Sequence, residues 1–194
     1  MKIQKSETNA KPNKKTNALI SATNTNAISI DKISKNALSV IYTLQQAGFQ
    51  AYLVGGGVRD MLLGLSPKDF DIATDAEPDE VNRLFRNCRL IGRRFRLAHI
   101  LFGREIIEVA TFRGTHKEDS HSSHQRPVDY RQASGHTKDG LIVRDNVYGS
   151  LEEDAERRDF TINALYFDPS KEKVIDYAQG QDDIEQSLIR VIGD

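Results

Sequence analysis

Two aspartates separated by one phenylalanine, Asp69-Phe70-Asp71, are the residues of this 194-residue chain best placed to do chemistry. Residues 68–74 alternate in polarity and read as a strand, so Asp69, Asp71 and Ala73 share one face while Phe70 and Ile72 share the other. Carboxylates two positions apart on a strand lie roughly 7 Å apart, at ~3.3 Å per residue. Their oxygens can converge on a pair of hard divalent cations about 3.5–4 Å apart, an arrangement suited to displacement at phosphorus. Just upstream, Gly55-Gly56-Gly57 follows the apolar run 51–54. Without Cβ atoms the backbone there can approach a polyphosphate closely, and N–H groups at the start of a following helix can face the anion. Metal dyad and phosphate cradle in one short unit point to nucleotidyl transfer. Two other glycine motifs fit poorly. A dinucleotide fingerprint needs a third glycine where Asp60 sits, and a P-loop needs Gly-Lys-Ser/Thr, which is absent.

These groups need a scaffold, and the flanking sequence supplies one. Residues 33–47 place Ile33, Ala37, Val40, Ile41, Leu44 and Ala47 at helical spacing, with Asp31 or Ser34 as cap and Gly48 as stop. This helix is expected beneath the strand 51–54. A short helix over 58–63 ends at Gly64 and Pro67, and another over 78–85 should turn Val81, Leu84 and Phe85 inward. Residues 97–102 and 105–112 read as paired strands around Gly103-Arg104. In the second, Ile107 and Val109 face one way and Glu108 and Ala110 the other, so Glu108 could complete the acidic site if its strand adjoins the Asp69/Asp71 strand. His99 in the first is expected to be packed rather than catalytic. Ser150-Leu151-Glu152-Glu153 is a capping-box helix start, with the helix running to Arg157 or Arg158.

Composition bounds the remaining possibilities. The chain is long enough for one domain with a substantial core, and its single cysteine, Cys88, excludes an internal disulfide and fits a reducing, cytoplasmic setting. No apolar run approaches membrane-spanning length. The first 26 residues carry five lysines and one glutamate in a Lys/Asn/Thr-rich stretch, leaving 22 basic and 27 acidic residues for the remainder. Residues 1–28 are therefore expected to be a disordered basic tail and 29–194 a catalytic domain. Residues 81–104 contain seven arginines and no acid. Either this is a solvated face, or the one-signed field receives phosphate or RNA backbone, with Arg93, Arg94 and Arg96 as contacts. Residues 114–140 hold His116, His121, His124 and His136 among polar neighbours, and read as a mobile loop rather than a zinc site.

Gly55-Gly56-Gly57-Val58-Arg59-Asp60-Met61-Leu62-Leu63-Gly64, followed by Asp69-Phe70-Asp71, resembles the first motif of class II nucleotidyltransferases, the bacterial poly(A) polymerases and CCA-adding enzymes. Arg157-Arg158-Asp159-Phe160-Thr161-Ile162-Asn163-Ala164-Leu165 resembles the second motif, and 176–193 the third, a helix and strand closing the head domain. Residues 90–99 resemble the segment that separates poly(A) polymerases from CCA-adding enzymes. The resemblance implies an α/β (α+β) head of DNA polymerase β type, a mixed, mainly antiparallel sheet with helices on one face. It implies transfer of AMP from ATP to an RNA 3′ end with two Mg²⁺ ions, Mn²⁺ substituting, held by Asp69 and Asp71. Asp159 would be a further functional carboxylate, and Gly55, Gly56, Arg59, Arg158 and Asn163 would hold the nucleotide. CCA addition to tRNA is the in-class alternative, and a non-catalytic nucleotide- or RNA-binding module the alternative from another class. The family's neck, body and tail domains have no counterpart in these residues, and its base-selecting Glu-Asp-x-x-Arg motif belongs to the neck. No membrane partner and no obligate oligomer is expected.

Overall fold

The computed structural model describes residues 28–92, 96–114 and 147–193. The basic tail up to residue 27, Arg93 and Arg94, and the histidine-containing stretch 115–146 lie outside the described residues.

The elements follow in the order α1 (Lys35–Gln46), β1 (Ala51–Val54), α2 (Gly56–Leu62), β2 (Asp71–Thr74), α3 (Pro78–Leu84), β3 (Cys88–Ile91), β4 (Leu97–Phe102), β5 (Glu105–Thr111), α4 (Leu151–Glu156), β6 (Leu165–Asp168), β7 (Lys173–Asp176) and α5 (Gly180–Glu185). The strands form one sheet in the order β3-β4-β5-β2-β1-β6-β7. Five of the six pairings are antiparallel; β2–β5 alone is parallel, because α3, β3 and β4 intervene before the chain returns beside β2. The mixed, mainly antiparallel sheet is as expected.

Alternation along the central strands splits the core into two layers. Leu53 and Ile72 turn toward one face and pack with α1, α2 and α3 through Val40, Leu44, Val58, Met61 and Val81. Tyr52, Val54 and Ala73 turn toward the other, where Leu151 and Ala155 of α4 cover them together with Phe112 and Tyr166. The expectation of helices on one face thus holds for α1, α2 and α3. Helix α4 departs from it because β1, β2 and β6 are apolar on both faces.

Local chemistry explains most boundaries. Ser34 caps α1 by accepting from the Asn36 amide at 3.1 Å, and Ala37, Val40, Ile41 and Leu44 form its buried stripe. Ile28, assigned from sequence to the tail, is buried in the main core. In α3 the stripe is Val81 and Phe85, four residues apart; Leu84, expected inward, lies at its margin and is 37% exposed. Strand β2 begins at Asp71 rather than near Lys68. The preceding Asp69 backbone leans on α2: a Cβ on Gly57 would lie 3.4 Å from the Asp69 carbonyl oxygen. Phe70 is nevertheless buried, as its alternation predicts. The strand expected near 189–193 is reduced to a bridge between Phe160 and Val191, with Thr161 N–H donating to the Arg190 carbonyl and Ile192 N–H to that of Asp159. Only two such bonds form because the partner segment enters a 3₁₀ turn at Thr161.

Candidate active site

Helix α2 starts at Gly56, two residues earlier than its apolar content suggests, so two glycines lie in its first turn. Gly55 sits at φ +73, ψ −137, a conformation that an L side chain would strain. Its N–H donates to the Leu165 carbonyl at 3.2 Å, which ties the turn to β6 and leaves any anion to the amides that follow. A Cβ on Gly55 would approach Arg158 Nη1 and the Asn163 carbonyl, so the first and second motifs meet across this glycine.

The parallel pairing of β2 and β5 sets Asp71 directly beside Glu108. Sequence alternation puts Glu108 on the open face, and the register makes it the cross-strand neighbour of Asp71. Asp71 remains solvent-accessible at the rim. Its pKa is nevertheless raised above the ordinary carboxylate value, first by partial burial, then by the charges of Glu108 and Asp69, against a lowering pull from Arg158. Asp69 lies just before the strand and lines a neighbouring recess with Lys68, Arg104 and Ile106. Among the described residues no three acidic, His or Cys side chains close into a finished metal cage. An all-carboxylate set of like charges still suits Mg²⁺ or Mn²⁺, because Mg²⁺ is usually held by one or two carboxylates plus substrate phosphate oxygens and water. The residues fit the ions.

A cleft of about 310 Å³ opens beside these acids, lined by Asp71, Glu108, Arg96, Arg113, Tyr148 and Arg158 among others. Arg158 is held there from more than one side. Its Nε and Nη2 donate to Asp154 Oδ2 at 3.3 and 3.0 Å, its Nε also donates to the Tyr166 hydroxyl at 3.0 Å, and the guanidinium lies over the Tyr166 ring. Burial works against this cation, but the neighbouring Tyr166 and Asp154 outweigh it and hold the Arg158 pKa above its ordinary value. Burial drives the Tyr166 phenol far above its usual range, so it stays a neutral donor to Asp154 at 2.7 Å. The other oxygen of Asp154 accepts from the Arg113 backbone at 3.0 Å, so one buried carboxylate braces both flanks of the cleft.

The other expected nucleotide ligands gather on the α2 side rather than along this cleft. Arg59 donates to Asp60 and, through Nη1, to Asn163 Oδ1 at 2.8 Å. Asp159 is exposed; its Oδ1 accepts from the Phe160 amide at 2.8 Å and from Asn163 Nδ2 at 3.5 Å. Arg96 reaches the cleft but is held by a bidentate pair with Asp79 at 2.8 and 2.9 Å, which depresses the Asp79 pKa. His99 is not simply packed: its Nε2 lies 3.2 Å from Glu108 Oε2. Asp154, Tyr166, Arg113 and Tyr148 escaped the sequence reading. Only Asp154 left a signal, its i,i+4 spacing to Arg158.

A sheet with one parallel pair, a glycine turn into a short helix, and acids on adjoining central strands beside an arginine-walled cleft define a nucleotidyltransferase head. The chain belongs to the poly A polymerase head domain family, which matches residues 51–190. It is 58% identical over 167 residues to poly(A) polymerase I of Salmonella typhi, covering 86% of this chain and 34% of that protein. It is 39% identical over 159 residues to a CCA-adding enzyme of Staphylococcus aureus (strain MRSA252), covering 82% and 35%. Among solved structures, the Bacillus stearothermophilus CCA-adding enzyme in complex with CTP superposes with a TM-score of 0.59 at 34% identity, covering 81% of this chain and 33% of the other. The chain spans about a third of the length of the curated relatives it matches. Among the described residues no helix is long and apolar enough to cross a membrane.

Proposed function

We propose that this chain is the catalytic head of a template-independent RNA nucleotidyltransferase that adds AMP from ATP to RNA 3′ ends. The observation that carries the reading is the register of Asp71 against Glu108, with Asp69 close enough to act on Asp71, at the mouth of a cleft whose wall holds a fixed Arg158. Asp69 and Asp71, with Glu108 beside them, would hold divalent magnesium or manganese, which supplies charge stabilisation at the α-phosphate and a lowered pKa at the attacking hydroxyl. In the reaction the RNA 3′ oxygen bonds the α-phosphorus, the α–β bridging P–O bond breaks, pyrophosphate leaves and the hydroxyl proton passes to solvent.

The chain's own groups bind and orient. Arg158, locked by Asp154 and Tyr166, presents a cation that needs no reorganisation when triphosphate arrives. Gly55 and Gly56 let the nucleotide approach the start of α2, while Arg59, Asn163 and Asp159 form a hydrogen-bonded set on the same side, suited to sugar and phosphate. The letters Glu153-Asp154-Ala155-Glu156-Arg157 match the neck motif, but the Asp154 carboxylate is taken up by Arg158, Tyr166 and Arg113, so it reads no base. Poly(A) synthesis is preferred over CCA addition on the higher identity to poly(A) polymerase I. Extension of a short RNA by the intact protein with ATP alone, against CTP plus ATP on a tRNA lacking its CCA end, tests the choice. A homopolymeric A tail supports the reading; addition that stops after CCA assigns the chain to the other branch.

A further inference from the structure

Among the described residues, the helical layer covers one side of the β3-β4-β5 half of the sheet. Ala98, Ile100, Ile107 and Val109 point into the helical layer and are buried. The opposite face carries Ile106 at 50% and Ile91 at 46% exposure, with Leu97 and Leu101 half-buried between them. The registers stack one row of side chains straight across that face. Arg89 pairs with His99, His99 with Glu108, and Glu108 with Asp71. The row spans three inter-strand spacings, about 14 Å, and ends at the acidic pair.

Charge marks what this face receives. Arg89 is exposed on it, Arg104 stands at the β4–β5 turn, and Lys68 shares with Arg104 the recess lined by Asp69. Among the described residues none of these three cations is in an ion pair, whereas Arg96, Arg158 and Arg190 are all paired. The registers set the apolar pairs Ile91–Leu97 and Leu101–Ile106 on either side of the Arg89–His99–Glu108 row, and unpaired cations beside such apolar side chains are complementary to a single strand of nucleic acid. Its bases would lie on the apolar pairs and its phosphates at the cations.

We propose that the 3′-terminal segment of the RNA substrate lies on the open face of β3, β4 and β5, with its bases against Ile91, Leu97, Leu101 and Ile106 and its phosphates at Arg89 and Arg104. This rests on the nucleotidyltransfer reading and deepens it, because the Arg89–His99–Glu108 row ends at Asp71, where the terminal hydroxyl would react. Leu97 and Glu108 also line the cleft walled by Arg158, so the acceptor strand on this face would meet the nucleotide there.

The test uses this chain and an oligoadenylate with a photoreactive 4-thiouridine placed a few nucleotides inside its 3′ end. Irradiation followed by peptide mass mapping should place crosslinks between β3 and β5. Arg89→Gln with Arg104→Gln should weaken oligoadenylate binding tenfold or more. It should also make the salt dependence shallower by ~0.7 in slope per arginine, the single-strand increment. Circular dichroism and Mg²⁺-ATP titration of the same variant should be unchanged. Crosslinks confined to other elements, no crosslinks at all, or an unaltered affinity and salt slope in the folded variant would overturn the proposal. Failure of the unsubstituted chain to bind Mg²⁺-ATP counts against the nucleotidyltransfer reading instead, and the crosslink map judges the RNA face separately.

Discussion

Replacing Asp154 tests whether the active-site cation is held by the fold or merely lies near it. The carboxylate is 5% exposed and accepts four donors: the Tyr166 hydroxyl at 2.7 Å, Arg158 at 3.0 and 3.3 Å, and the Arg113 amide at 3.0 Å. Breaking a buried ion pair by removing one partner costs about 3–5 kcal/mol, because the other charge is left without compensation. Arg158 is 23% exposed and can recover some hydration, so Asp154→Ala should fall at the lower end, about 3 kcal/mol. Asp154→Asn keeps the shape and one acceptor but loses the charge; its cost should be about 1.5 kcal/mol, the lower value for a hydrogen bond to a charged group. Urea denaturation reads both. With a slope of about 2 kcal/mol per molar, the midpoint should drop by about 1.5 M for alanine and half that for asparagine, without a change in slope. Mg²⁺-ATP affinity should weaken in both, since a freed Arg158 can turn out of the cleft. If both variants lie within about 0.5 kcal/mol of the parent, the ordinary range for surface changes, the buried brace does not exist and the argument about Arg158 fails.

Three further outcomes follow from the same geometry. Asp159→Asn in the intact protein should reduce nucleotide addition, and Glu108→Gln measures how far the cross-strand acid contributes; a harmless Asp159→Asn would show that the arginine pair alone is what the second motif supplies. Because the folded-state pKa of Asp71 is raised, this group destabilises the metal-free fold as pH rises from the unfolded carboxylate range through its raised value. Asp71→Asn should therefore raise the thermal midpoint at neutral pH but not below the ordinary carboxylate range, and added Mg²⁺ should narrow the difference; an equal gain at both pH values removes the charge explanation. Finally, the chain should bind ATP, CTP, GTP and UTP with Mg²⁺ within tenfold of one another, about 1.4 kcal/mol, since contacts to phosphate carry no base information. Calorimetric preference for ATP beyond that would reveal a base reader within the head.

Much of the frame was legible because it is written in local patterns. The β4–β5 hairpin followed from alternation around Gly103-Arg104, and burial of Phe70 from its position between two acids. Ser34 and Ser150 announced their helices by capping chemistry. What was not legible depends on tertiary contacts. Nothing local specifies that β5 returns parallel to β2, and the alignment of Glu108 with Asp71 depends on that return. Asp154 sits among acids in a helix start and reads as one more dipole partner; its burial under Tyr166 comes from β6. Strand β3 was obscured by its shortness and by Arg89, since Cys88 and Leu90 alone give a weak alternation. The start of α2 at Gly56 runs against propensity and is fixed by the Gly55 bond to Leu165.

The central claim is that Asp71 and its neighbours form a transfer site for phosphoryl chemistry, and Asp71→Ala in the intact protein tests it most directly. Incorporation of radiolabelled AMP into a short RNA should fall by at least a thousandfold, about 4 kcal/mol of lost transition-state stabilisation, while circular dichroism and thermal midpoint remain those of a folded protein. AMP incorporation within a fewfold of the parent would contradict the account, because no other described carboxylate occupies the β2 position facing Glu108.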